Sequence, residues 1–163
     1  MMTSTLHIAK QNFKFSAAHF LIFNEHEAEK LHGHNYHVKV DLGYSDELMK
    51  QPEGSFVDFN IFKKAIKAHL EKWDEHVILP RLHSDMKYQI SADGKNYEVR
   101  FRERFYSFPT NEVIWLDVTN TSVEAFSKIL ARDFFEMFKK YKISKVRVVV
   151  EETKGQGASC VIS

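Results

Sequence analysis

The chain has 163 residues, which fits one domain spanning 1–163 and leaves no room for two ordinary ones. Hydrophobic residues make up 44% and include 14 Phe, 6 Tyr and 2 Trp, enough to bury a core, so a wholly disordered chain is excluded. Lys plus Arg is 23 and Asp plus Glu is 22; the net charge of +1 argues against a strongly basic nucleic-acid binder. The single cysteine, Cys160, makes neither an internal disulfide nor a cysteine-based zinc site, and it fits a reducing compartment. The amino-terminal MMTSTLHIAKQNFKF has no apolar signal region, and no apolar run reaches a membrane-spanning length. The expectation is a cytoplasmic globular protein that contacts neither membrane nor nucleic acid.

In chain order, Thr5 to His19 alternates in part, with Phe13, Phe15, Ala17 and His19 on one face of a strand. Residues 20–31 connect through an acidic middle. His34, Tyr36, Val38, Val40 and Leu42 form the next alternating face. The stretch QPEG at 51–54 signals a turn, residues 55–57 read as an extended lead-in, and Asp58 fits a helix N-cap. Phe59, Phe62, Ile66, His69, Leu70 and Trp73 then keep helical spacing, with His69 as a core histidine. Pro80 ends the next segment. Met86–Ser91 and Tyr97–Phe101 flank an Asp-Gly hairpin turn. Val113–Val118 reads as a third main strand, Ser122 as the N-cap of a long helix with a Val123, Phe126, Ile129, Leu130, Phe134, Met137, Phe138 and Tyr141 stripe, and Val146–Val150 as the last main strand before a short tail. The order predicts an α+β fold in which two helices cover one face of a mostly antiparallel, four-stranded sheet. Its open edges favour oligomerisation.

Nine histidines are the compositional anomaly. His32 and His34 at a strand start project to one face, with Gly33 between them permitting tight backbone geometry. His19, at the end of the preceding strand, supplies a third imidazole. Three imidazoles with an open fourth position are the usual catalytic zinc arrangement, although nitrogen ligation suits other divalent metals as well.

Phe15-Ser16-Ala17-Ala18-His19 together with Leu31-His32-Gly33-His34-Asn35-Tyr36 resembles the 6-pyruvoyl-tetrahydropterin synthase family, which includes the 6-carboxytetrahydropterin synthases of the queuosine pathway. Val57-Asp58-Phe59, Asn120-Thr121-Ser122-Val123-Glu124 and Val150-Glu151-Glu152-Thr153 are similar to further family motifs, in family order. The resemblance implies the tunnelling fold, a four-stranded antiparallel sheet with two helices on one face, plus a hairpin insert, assembled into barrels as a homohexamer of two trimers. It implies Zn2+ on His19, His32 and His34, and a pterin anchored by Glu152, whose carboxylate would accept two hydrogen bonds from the heterocycle.

Two departures refine this expectation. The family's catalytic cysteine before H-G-H is absent from Asn24–Lys30; Glu29-Lys30-Leu31-His32 instead resembles a subgroup, known from malaria parasites and some bacteria, in which a glutamate replaces it. That subgroup cleaves the side chain of 7,8-dihydroneopterin triphosphate to 6-hydroxymethyl-7,8-dihydropterin, a folate precursor. The run Trp73–Pro80 and the hairpin after it look like the same subgroup. Second, the family's L-D-H reads Trp73-Asp74-Glu75-His76 here. Asp74 is kept, but Glu75 stands where the catalytic histidine is expected. Either His76 takes over by a local shift, or Glu75 is the acid/base, or the step is lost and the protein is a non-catalytic zinc or pterin binder. In the leading expectation Glu29 removes a hydroxyl proton for a retro-aldol-type cleavage. The pyruvoyl and carboxy products are the alternatives. Lys30, Lys39, Arg81, Arg100, Arg102 and Arg104 are candidate cations for the triphosphate, and the Arg100–Arg104 run reads equally well as a solvated charged strand face.

Overall fold

The computed structural model describes residues 4–44 and 58–163. The turn expected at 51–54 and the lead-in at 55–57 lie outside the described residues. Two compact units interleave along the chain: one within 1–15, 35–72 and 123–163, the other within 16–34 and 73–122.

The first unit holds an antiparallel sheet in the order β10-β9-β3-β1, built from β1 (Ser4–Ile8), β3 (His32–Tyr44), β9 (Ile143–Thr153) and β10 (Gln156–Ile162). β3 starts in the second unit and runs into this sheet. Tyr36, Val38, Val40 and Leu42 are buried along it, as the alternation predicts, and Val146, Val148 and Val150 of β9 are buried beside them. Val38 and Val40 pair with Val150 and Val148, so the apolar residues share one face. Two helices belong to the same unit. α1 (Phe59–Glu71) starts at Asp58, whose side chain accepts from the Asn60 N–H at 2.8 Å, as predicted. It buries Phe62, Ile66 and Leu70, while Phe59 stays exposed. α2 (Val123–Phe138) buries Phe126, Leu130, Phe134 and Phe138. Phe62 meets Phe138 edge-on at 5.1 Å, and Phe126 meets Tyr36 edge-on at 5.2 Å, which ties helix to helix and helix to sheet. His69 sits between the helices on the edge of Phe134, with Nε2 3.1 Å from Asp133 Oδ2 but not aligned for a hydrogen bond.

The fourth antiparallel strand is β10, where the sequence pattern predicts only a short tail. Its residues alternate only weakly in polarity, and it forms because the Gly155 turn (φ 82°) folds Gln156–Ile162 back onto β9. The register shifts between Gln156 and Gly157. At Gly157 a Cβ would lie 2.2 Å from the Val150 carbonyl oxygen and 2.8 Å from Glu151 Cα. Gly157→Ala is therefore expected to cost about 1–3 kcal/mol, as overpacking against backbone does, read as a lower denaturant midpoint at unchanged slope.

The second unit departs further from expectation. Val113–Leu116 (β8) is a strand, but it pairs in parallel with β4 (His76–Pro80), and β4 pairs in parallel with β2 (Lys14–His19) through Ala17 and Ala18. Pro80 ends its segment as expected, closing β4. The predicted hairpin, β5 (Met86–Ile90) and β6 (Asn96–Phe101), is present and carries a third strand, β7 (Arg104–Pro109). Phe20, Ile22, Leu79, Met86, Val99 and Phe101 form the core of this unit. Among the described residues, no helix is long and apolar enough to cross a membrane.

Candidate functional site

The second unit gathers His19, His32 and His34. Residues i and i+2 at the start of β3 do share a face: His32 Nε2 and His34 Nε2 lie 2.9 Å apart. His19, at the end of β2, brings its ring within 5.1 Å of His32 and 5.5 Å of His34, centroid to centroid. Each of the three offers a nitrogen within 4.8 Å of the others. Gly33 is not required for this convergence: a Cβ there would meet only the Ala17 carbonyl oxygen, at an ordinary 3.5 Å.

Hydrogen bonds fix which nitrogens face inward. His19 Nδ1 lies 2.8 Å from the Thr121 carbonyl oxygen, and His32 Nδ1 lies 2.7 Å from that of Lys30. A carbonyl only accepts, so both Nδ1 atoms carry protons and both Nε2 atoms present lone pairs. The His32 Nε2 lone pair faces His34 Nε2 at 2.9 Å, a separation that needs a proton or a cation between the two nitrogens. The donor set and its carbonyl-braced tautomers therefore suit a metal ion. Burial holds the His19 imidazole below its ordinary value of 6.5; the nearby His32 and His34 push the same way, against the Thr121 hydrogen bond and the Glu29 carboxylate. The lowered value favours the neutral, ligating form of the ring.

Glu29 stands beside this group. Residues 20–31 are not an open loop but a small antiparallel hairpin, with Ile22 bridged to Ala28. The Glu29 N–H donates to Leu21 O at 2.9 Å, and the Glu29 carboxylate accepts from the Leu21 N–H at 3.0 Å. The same Oε2 lies 3.5 Å from His32 Nε2. Asn24 turns the hairpin by accepting from the His26 and Glu27 N–H groups at 2.8 and 2.9 Å. Glu25 and Glu27 are exposed, so of the three glutamates Glu29 alone is turned to the histidines.

Asp74, Glu75 and His76 form a separate arrangement around Ser16. Asp74 Oδ1 accepts from the Ser16 N–H at 2.7 Å, and the Glu75 N–H donates to Ser16 O at 2.8 Å. Glu75 is exposed and left-handed (φ 59°), a conformation a non-glycine residue seldom adopts. It acts as a one-residue kink that delivers His76 to the first position of β4. His76 Nδ1 lies 2.6 Å from Asp74 O, so its Nε2 presents the lone pair. Glu75 thus meets Ser16 through its backbone N–H, and the His76 ring is held by the Asp74 carbonyl.

Glu152 lies half-buried on β9, in the first unit, one residue before the strand ends. Of the candidate phosphate cations, Arg81 is paired with Asp117, which raises its pKa further, and Lys39 is paired with Glu151 at 3.0 Å. The sequence reading missed two supports. Asn120 brackets Ile22, accepting from its N–H at 3.1 Å and donating to its carbonyl at 2.8 Å, and buried Thr121 holds His19. Both lie in a motif read only as the opening of α2.

Comparison with known proteins is consistent in one direction. The family model described as 6-pyruvoyl tetrahydropterin synthase matches residues 7–162. A protein of Methanocaldococcus jannaschii named "Putative 6-carboxy-5,6,7,8-tetrahydropterin synthase" is 30% identical over 89% of this chain and 87% of its own. The crystal structure of 6-pyruvoyl tetrahydropterin synthase from Plasmodium vivax superposes with a TM-score of 0.86 at 25% identity, covering 100% of this chain and 99% of that one. The Plasmodium falciparum protein of the same name gives 0.84 at 26% identity over 98% of each chain.

Proposed function

The chain belongs to the 6-pyruvoyl tetrahydropterin synthase family, with its α+β tunnelling fold, and on that premise we propose that it is a zinc-dependent pterin lyase that cleaves the side chain of 7,8-dihydroneopterin triphosphate to 6-hydroxymethyl-7,8-dihydropterin. The observation that carries this reading is Glu29, whose carboxylate is pinned 3.5 Å from His32 Nε2 in a segment without cysteine. The P. vivax protein is itself described with a catalytic glutamate.

Zinc held by His19, His32 and His34 would supply a Lewis acid for the hydroxyls of the side chain. Glu29 takes the proton from the hydroxyl on the second side-chain carbon. The bond between the first two side-chain carbons then breaks, its electrons pass into the ring imine, and the outer fragment leaves as an aldehyde that carries the triphosphate. A proton returned to the first carbon completes the 6-hydroxymethyl product; we assign that delivery to Nε2 of His76 in its protonated form, the ring held through Nδ1 by the Asp74 carbonyl, with Glu29 releasing its proton to solvent and His76 regaining one to close the cycle. Glu152 is assigned as the anchor of the heterocycle, so that orientation supplies part of the rate. The barrel of two trimers implied by the family resemblance is the assembly expected.

A second reading, formation of a 6-carboxytetrahydropterin, is favoured by the name of the M. jannaschii relative. Mass spectrometry of the pterins formed by zinc-loaded protein from 7,8-dihydroneopterin triphosphate separates the two. A 6-hydroxymethyl product is expected; a 6-carboxy or 6-pyruvoyl product would overturn the cleavage reading.

A further inference from the structure

The Arg100–Arg104 run has no role in the chemistry above, yet of its three arginines only Arg100 is an exposed face residue, lying over the exposed Phe105 ring at 4.8 Å. Arg102 and Arg104 turn the other way. The two guanidinium nitrogens of Arg104 donate to consecutive carbonyls of the 20–31 hairpin: Nη1 to Glu29 O, and Nη2 to Ala28 O at 3.0 Å. The same guanidinium lies over the Phe20 and Phe101 rings, at 5.6 and 5.7 Å. Arg102 donates from Nη2 to Asn24 O at 2.7 Å and from Nε to Asp85 Oδ2 at 2.8 Å. Arg102 is left-handed (φ 53°) in the tight turn from β6 to β7, where Phe101 and Arg104 are partners.

We infer that this turn is a positioning device for Glu29, so that the three-stranded insert forms the back wall of the candidate active site rather than a surface addition. The inference rests on the proposed role of Glu29 as base. Glu29 is held at its N–H by Leu21 O, at its carboxylate by the Leu21 N–H and at its carbonyl by Arg104. The first two bonds stay within the hairpin and move with it. Phe20 and Ile22 pack the hairpin against Met86, Val99 and Phe101 of the insert without fixing its direction; Arg104 and Arg102 supply the directional contacts, at its base and at its tip. A fork of two parallel donors stacked on aromatic faces sets both position and angle; an ammonium at the end of a flexible stem does not.

The test is a double-mutant cycle on the zinc-loaded protein, with kcat and KM for 7,8-dihydroneopterin triphosphate measured for Arg104→Met, Glu29→Gln and the double variant. Arg104→Met is expected to lower kcat about 100-fold, the scale of a base displaced by about 1 Å, with KM and zinc content unchanged. In the Glu29→Gln background the same substitution is expected to cost less than about threefold, because no base remains to be misplaced. Arg104→Lys is expected to recover only part of the loss; should the Met variant fail to fold, the cycle is run with Lys. An equal fall in kcat in both backgrounds, or no fall at all, would overturn the inference while leaving Glu29 in its role. If Glu29→Gln alone leaves kcat unchanged, the reading of Glu29 fails, and the positioning role fails with it.

Discussion

Glu29→Gln is expected to lower kcat by about 10²–10⁴-fold, the range for losing a positioned general base, with zinc content and thermal stability close to wild type. The amide retains the size of the carboxylate and an oxygen to accept the Leu21 N–H, which the carboxylate now accepts at 3.0 Å. The hairpin through Ile22 and Ala28 therefore persists, and what disappears is the basicity. Glu27→Gln is the matched control. Glu27 lies two residues away, exposed, with its carboxylate 3.3 Å from Asn24 Nδ2 at the hairpin tip. It removes the same charge from the same segment, so any purely electrostatic effect of the acidic loop would appear in both variants. A large fall confined to Glu29→Gln assigns the base; equal, small falls in both would remove Glu29 from the mechanism. Because Oε2 is also 3.5 Å from His32 Nε2, zinc content is measured on each preparation, so that metal loss is not read as loss of a base.

What could be read from the sequence follows the range of the signal. His32 and His34 converge because a two-residue strand period needs no tertiary information, and the Phe13–His19 parity puts His19 among buried residues. The Asp58 cap and the Phe126–Phe138 stripe are equally local. The misreadings all depend on which strand pairs with which. β4 and β8 pair in parallel, a geometry set by tertiary contacts rather than by any turn signal. β10 is a weakly patterned edge strand, and β7 follows a tight turn whose left-handed residue is Arg102 instead of Gly or Asn. The supports of the site are hidden for the same reason. Asn120 and Thr121 are about 100 positions from the residues they brace, and Arg104 is 75 positions from Glu29. Glu75 shows a subtler limit: aligned letter by letter it replaces a histidine, but its left-handed backbone, a conformation no sequence signal here announces, sets it apart from an ordinary strand residue.

His34→Ala is expected to weaken metal binding by more than the roughly 10- to 100-fold that loss of an outer-shell partner gives, measured by competition with a chromophoric chelator. The substitution leaves two imidazoles, those of His19 and His32, each with its Nδ1 proton committed to a carbonyl. Two ligands cannot define a tetrahedral site, so the remaining ion exchanges with the chelator. The fold should survive, because His34 is only partly covered at the start of β3, whereas His19 is buried at 2% exposure and its replacement would also leave the Thr121 carbonyl without its donor. His34→Ala thus separates metal binding from stability in a way that His19→Ala does not. Acid should reproduce the metal loss reversibly, since protons compete for the same nitrogens. The sign of the His19 contribution is set by its lowered pKa: the unfolded chain takes up the proton first, so stability from its burial is fully present above 6.5 and is lost as the pH falls below that value. Metal affinity of His34→Ala equal to wild type would mean that the three histidines are not the ligand set, and the 2.9 Å approach of His32 and His34 would then be a shared proton rather than half of a metal site.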